Sequence, residues 1–173
     1  MRGLIALMLA CACAAPAAAL PLLPKHPRVA RHRTEVGDWR LDVSRNPFSG
    51  DIVCRLRDRH GDAIYQQGAV GFRFSKRWDT AKAVYRLDGG APRAWRDDLP
   101  ELLRVGTPID TGGIANPSQG IVWIPISHLA GVNAVAIEAR PDRRPKLFHF
   151  RGFRGLYELA VARGCAPDAR FVR

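Results

Sequence analysis

Trp39-Arg40-Leu41-Asp42-Val43-Ser44 is followed, after Asn46-Pro47-Phe48-Ser49-Gly50, by Ile52-Val53-Cys54-Arg55-Leu56-Arg57. Trp39, Leu41 and Val43 alternate with Arg40, Asp42 and Ser44; Ile52, Cys54 and Leu56 alternate with Val53, Arg55 and Arg57. An extended chain points successive side chains to opposite faces, so this period of two marks half-buried strands. The Asn, Pro and Gly between them mark a turn. Cys54 falls on the apolar face, and Arg55, Arg57 and Arg59 fall on the opposite one.

The same pattern extends downstream. Asp58-Arg59-His60-Gly61-Asp62 reads as the next turn, followed by strands at Ala63–Gln67 and Ala69–Ser75, the latter with Val70, Phe72 and Phe74 on one face. Lys82–Asp88 is a further strand, closed by Asp88-Gly89-Gly90, where glycine accepts a positive φ. Asp97–Val105 reads as a short helix with Asp97 or Asp98 as its cap and Pro100 in its first turn. The glycines and prolines of 106–120 predict a long loop. Strand character returns at Ile121–Ile124, then a helical turn at Ser127–Ala130, then a hairpin of Asn133–Arg140 and Lys146–Phe150. Phe153, Leu156, Tyr157, Ala160 and Gly164 recur at intervals of three and four, the period of an amphipathic helix over 153–163. About eight short strands with turns between them predict a mainly β, single-domain β-sandwich with a C-terminal helix. A half-open barrel is the alternative.

The N-terminus differs in kind. Met1-Arg2, the apolar run Leu4–Ala10 and the small residues Pro16-Ala17-Ala18-Ala19 are the three parts of a secretory signal peptide over residues 1–19. The apolar run is far short of the about 20 residues of a membrane span. A lipid anchor on Cys11 or Cys13 is the rival, and membrane association is expected only with such lipidation. Residues 20–36 hold three prolines and a cluster of basic residues, and predict a flexible basic arm before the domain at 37–173. Cys54 and Cys165 remain once the leader is removed. In an oxidising compartment they are expected to form a disulfide rather than stay separate thiols.

The formal charge is +11, and arginine supplies 23 of the 27 basic residues. Such an excess fits an anionic envelope polymer or an acidic protein as partner, and an exported chain gives no reason to expect nucleic acid. It equally fits the arginine bias of a GC-rich genome. Arg55, Arg57 and Arg59 on one strand face, with Arg143 and Arg144 in the last hairpin turn, are the candidate anion-binding residues.

No catalytic, metal or cofactor motif occurs. Asp58-x-His60-x-Asp62 carries ligand types at alternate positions, but its glycine and flanking strands make it a turn. His26, His32, His60, His128 and His149 form no H-E-x-x-H frame, and neither a G-x-S-x-G elbow nor a phosphate-binding glycine pattern is present. Asp97, Asp98 and Glu101 cluster at a helix start, where acids complement the helix dipole.

Trp39, the Cys54 strand, Ala130-Gly131-x-x-Ala134-x-Ala136-Ile137 and Phe148-x-Phe150-x-Gly152-Phe153-x-x-Leu156 together resemble the invasion-associated locus B family of exported bacterial proteins. The likeness spans residues 37–164 and is clearest over the last 35 or so. That family usually carries more cysteines, and Asp97–Gln119 has no counterpart in it. The resemblance implies a small periplasmic or surface β-sandwich linked to the envelope or to host contact, with no catalytic residues to carry over. Two functions follow as expectations: a periplasmic or secreted, non-enzymatic binding protein with an anionic partner, or a small envelope hydrolase using carboxylates around Asp97–Asp110.

Overall fold

The computed structural model describes residues 31–75, 78–107, 109 and 120–165. The expected leader 1–19, with Cys11 and Cys13, and Asp110 lie outside them. The fold is mainly β, with two antiparallel sheets and a C-terminal helix. The strands are β1 (Arg31–Val36), β2 (Trp39–Arg45), β3 (Ile52–Asp58), β4 (Ala63–Gln66), β5 (Ala69–Arg73), β6 (Val84–Leu87), β7 (Arg93–Ala94), β8 (Ile121–Pro125), β9 (Ala134–Glu138) and β10 (Lys146–His149). The helices are α1 (Leu99–Arg104), preceded by a 3-10 turn at Trp95–Asp98, then α2 (Ile126–Leu129) and α3 (Phe153–Ala162). The large sheet runs β1-β2-β3-β4-β5-β8 and the small one β10-β9-β6-β7.

Alternation decides which face is buried. In the large sheet Leu41 lies opposite Leu56, Tyr65 opposite Val70, and Val70 opposite Ile124. In the small sheet Tyr85 lies opposite Ile137, and Val135 is flanked by Leu87 and Phe148. These inward rows meet as one core. The Trp39 ring centre is 5.2 Å from that of Phe150 and 4.7 Å from that of Phe153, and Phe72 is 4.8 Å from Phe148. The indole N–H of Trp39, wholly buried, donates to the carbonyl of His149 at 2.9 Å. One side chain therefore fills the core and ties the two sheets together.

The small sheet leaves β1–β3 partly uncovered, and α3 packs there. Its buried residues are Phe153, Leu156 and Ala160, three of those the helical period marks. The helix ends at Gly164, and Cys165 follows with its sulfur at bonding distance from that of Cys54, the two Cα atoms 5.6 Å apart.

Three expectations need correction. The chain is already a strand at Arg31–Val36, inside the expected arm of 20–36; residues 20–30 lie outside the described residues. An edge strand exposes both faces, so its charges cost little, and Arg33 Nε donates to Asp42 directly opposite at 2.7 Å. The strands number ten among the described residues rather than about eight, because β1 and the two-residue β7 are added. Asp98 occupies the N-cap position of α1, yet its side chain makes no capping hydrogen bond.

Candidate functional site

Residues directly opposite in an antiparallel pair share a face. The register of β1, β2 and β3 therefore stacks three outward rows: Arg31, Ser44 and Val53; Arg33, Asp42 and Arg55; Glu35, Arg40 and Arg57. Arg59 joins this face through Glu35, 3.6 Å away. Arg31, Arg33, Arg40, Arg55, Arg57 and Arg59 are thus gathered against the two carboxylates of Asp42 and Glu35. The alternation of Arg55, Arg57 and Arg59 was legible in the sequence; their company with Arg31, Arg33 and Arg40 needed the register.

The arginines are not equivalent. Asp42 accepts from Arg33 at 2.7 Å and from Arg57 at 3.0 Å, with Arg40 at 4.0 Å. Burial alone would raise the Asp42 carboxyl, but the hydrogen bonds and charges of Arg33 and Arg57 outweigh it and hold the group below the usual carboxylate range. The Nε atoms of Arg40 and Arg57 are buried without a hydrogen-bond partner, so donor capacity remains unmet beneath the face. Arg31 and Arg55 are exposed and have no ion-pair partner among the described residues. A shallow depression of about 100 Å³ opens between Arg31, Arg33, Asp42, Ser44, Arg55 and Arg57. Guanidinium groups around a concavity of that size suit a phosphate, sulfate or carboxylate oxygen cluster.

Arg143 and Arg144 stand elsewhere, in the turn joining β9 to β10 of the small sheet. Arg143 lies 3.6 Å from Asp142 and 5.7 Å over the ring of Trp78, which Arg140 also approaches at 5.9 Å. Arg140 grips Asp142 with two hydrogen bonds of 2.9 and 3.1 Å. These contacts make Arg143 part of a local cluster, separate from the face on β1–β3.

The acids at 97–101 form the other candidate. Asp98, 4% exposed, accepts the phenol proton of wholly buried Tyr85 at 2.7 Å. His128 Nδ1 is 3.1 Å from the same phenol oxygen and 3.5 Å from Asp98, while its Nε2 is 3.6 Å from Glu101. Ser127 donates to Glu101 at 2.7 Å. Burial raises the Asp98 carboxyl, against the hydrogen bond from Tyr85 and the charges of His128 and Arg93. Burial and the bond to Asp98 push the Tyr85 phenol well up. Both nitrogens of His128 face protein groups, and Asp98 is turned inward. This geometry bolts the 3-10 turn, β6 and α2 together, while Asp97 beside it is exposed.

Asp58 and Asp62 serve the turn that contains them. Asp58 accepts from the backbone N–H of Ala63 at 2.7 Å, and Asp62 pairs with Lys146 at 2.6 Å. No group of three or more His, Cys, Asp or Glu positioned to hold a metal occurs among the described residues. No helix among them is long and apolar enough to cross a membrane. No protein-family model, no curated protein and no solved structure matches the chain.

Proposed function

We propose that the chain is an exported, non-enzymatic binding protein of the bacterial envelope, periplasmic or secreted, that takes an anionic polymer on the outward face of β1–β3. The observation that carries this reading is the depression between Arg31, Arg33, Arg55 and Arg57, on a face where six arginines stand over two carboxylates. The pairing of Cys54 with Cys165 supports an oxidising compartment, as does the leader-like sequence of residues 1–19. The likeness to the invasion-associated locus B family agrees with an envelope location, though Trp39, Phe150, Phe153 and Leu156, which carry it, are core residues and speak to the fold.

The hydrolase reading asked for a carboxylate of raised proton affinity in an accessible pocket. Of the carboxylates it named, Asp98 meets the first condition but is buried against Tyr85, Asp97 is exposed, and Asp110 lies outside the described residues.

The test is binding of a soluble polyphosphate and of a carboxylate-rich wall polymer, each at low and high salt. Exposed charges are screened beyond about 8 Å at physiological ionic strength, so affinity should fall steeply with added salt. Absence of binding at low salt would end the reading.

A further inference from the structure

The turn Asn46–Asp51 joins β2 to β3 and carries Phe48 at its tip. The Phe48 side chain is 98% exposed, a value at odds with its size and apolarity. The turn is not a loose end. Asn46 N–H donates to the carbonyl of Asp51 at 2.7 Å, Gly50 N–H to that of Asn46 at 2.9 Å, and Phe48 N–H to the Asn46 side chain at 2.9 Å. The backbone thus holds the ring outward from a hydrogen-bonded platform. Val53, 39% exposed, stands at the base of the hairpin on the arginine face, while Ile52, 41% exposed, and Val161 at the end of α3, 39% exposed, stand on the opposite face of the sheet. A Cβ placed on Gly164, just past that helix, would lie 3.7 Å from Ile52, so Ile52 and the helix end are neighbours.

This apolar tip lies at one end of the basic face. Val53 shares its row with Arg31, and Arg33 and Arg55 form the row behind. Arg45, also exposed, closes β2 at the base of the turn, and Asp51 is the acid that accompanies it. An aromatic tip followed by guanidinium groups is the pattern of a surface that meets anionic lipid. The ring enters the boundary between headgroups and acyl chains while the arginines pair with phosphates. A soluble polyanion has no apolar layer to receive Phe48, and a neutral lipid surface has no charge for the arginines.

We infer that the hairpin tip and the basic face beside it form one docking surface for an anionic lipid, with Phe48 as the apolar wedge and Arg31, Arg33 and Arg55 as the phosphate contacts. This rests on the anion-binding reading above and gives it a lipid source; it needs no lipid on Cys11 or Cys13. Adding a buried phenyl ring to a charge-driven contact is worth about tenfold or more in affinity.

The experiment uses the exported, processed chain with three probes: phosphatidylcholine vesicles, the same vesicles containing phosphatidylglycerol, and soluble polyphosphate. Wild type should bind the anionic vesicles and polyphosphate and leave the neutral vesicles alone. F48S should bind anionic vesicles about tenfold more weakly and polyphosphate unchanged. In F48W, brominated acyl chains should quench a new fluorescence component that polyphosphate does not affect. If F48S binds anionic vesicles as wild type does, or brominated lipid leaves F48W unquenched, the lipid wedge is overturned while anion binding stands. If neither polyphosphate nor anionic vesicles bind, the underlying reading fails with it.

Discussion

Gly37 and Gly152 are interlocked through each other's neighbours. A Cβ on Gly37 would fall 2.1 Å from the carbonyl oxygen of Arg151, and a Cβ on Gly152 would fall 2.0 Å from that of Val36. Both residues have positive φ, +58° and +90°, and the N–H of Asp38 donates to the Arg151 carbonyl at 2.9 Å beside them. The turn between β1 and β2 is thereby pressed backbone to backbone against the start of α3. Since the obstacles are carbonyl groups, no side chain can rotate away. We expect G37A and G152A each to cost about 2–4 kcal/mol, from left-handed strain plus overpacking. The double variant should cost less than the sum, because one displacement of the turn relieves both clashes. Gly155, helical and surrounded by open space, is the control: G155A should stabilise by up to about 1 kcal/mol. Urea unfolding of wild type and the four variants checks this, and a G152A within 0.5 kcal/mol of wild type would show that the turn can lift off α3 at little cost, a change no larger than that of a typical surface substitution.

The far end of α3 is fixed covalently. Cys54 and Cys165 are 111 residues apart in sequence. On the chain-entropy account a loop of that order stabilises by about 4–5 kcal/mol. Replacing both cysteines by Ala should remove most of that amount without changing the far-ultraviolet dichroism at low temperature. In the middle of the helix Leu156 is wholly buried, and L156A should cost about 2–5 kcal/mol. An intact chain that reductant leaves as stable as before would contradict the first expectation.

What could be read from the chain followed physical locality. Period-two segments identified β2, β3 and β5 and their core faces, because sheet burial is written in neighbouring residues. The 3.6 period identified α3. β1 was missed because its Arg31-His32-Arg33 start reads as a solvated arm. The available signal was the Gly37-Asp38 pair between Val36 and Trp39, a two-residue hairpin turn with glycine first. Asp98 was misread for a different reason. At a helix start an acid has a sufficient local explanation, whereas its partners Tyr85 and His128 are distant in sequence and carry no spacing rule. The basic face was half legible: strand alternation aligned Arg55 with Arg57, but which arginine Asp42 holds depends on the register of three strands.

Asp98 and Asp42 should give stability opposite dependences on pH. The folded state binds the Asp98 proton more tightly than the unfolded chain, whose Asp titrates near about 3.9. Its contribution is therefore full below that value and is lost as pH rises through the raised folded value. Asp42 is depressed, so its contribution is full above about 3.9 and is lost as pH falls through the lower folded value. D98N keeps an acceptor for the Tyr85 phenol and removes the titration. Wild type should thus lose stability relative to D98N as pH rises above about 4, and gain it relative to D42N as pH rises from strongly acid solution to about 4. D98A, which also removes the acceptor, should be about 1–3 kcal/mol less stable than D98N at any pH. Denaturant titrations at four pH values decide it; a constant difference between wild type and D98N would mean that Asp98 titrates at its ordinary value.

Arg55 and Arg57 sit two residues apart on one strand face and should respond differently to the same substitution. Arg57 is half-buried and donates to Asp42 at 3.0 Å, whereas Arg55 lies exposed opposite Asp42 without a bond to it. Removing Arg57 takes one of two hydrogen bonds from a largely buried carboxylate, so R57S should destabilise by about 1 kcal/mol, the low end for charged bonds given its partial exposure. R55S, and R31S in the row beside it, should leave stability within about 0.5 kcal/mol. Binding should show the reverse order. Arg31 and Arg55 have no carboxylate to neutralise them among the described residues, so their charge is available to a ligand, and R31S/R55S should weaken polyphosphate binding strongly and make the remaining binding less sensitive to salt. R57S should weaken it less, because the lost guanidinium was already shared with Asp42 and the freed carboxylate then draws more on Arg33. Unfolding free energies and polyphosphate titrations at two salt concentrations, on wild type, R57S and R31S/R55S, separate the two roles. On a logarithmic scale, a loss in R57S of half that in R31S/R55S, one charge removed against two, would mean that the face acts only through its summed charge and that the depression between Arg31 and Arg55 has no special part in recognition.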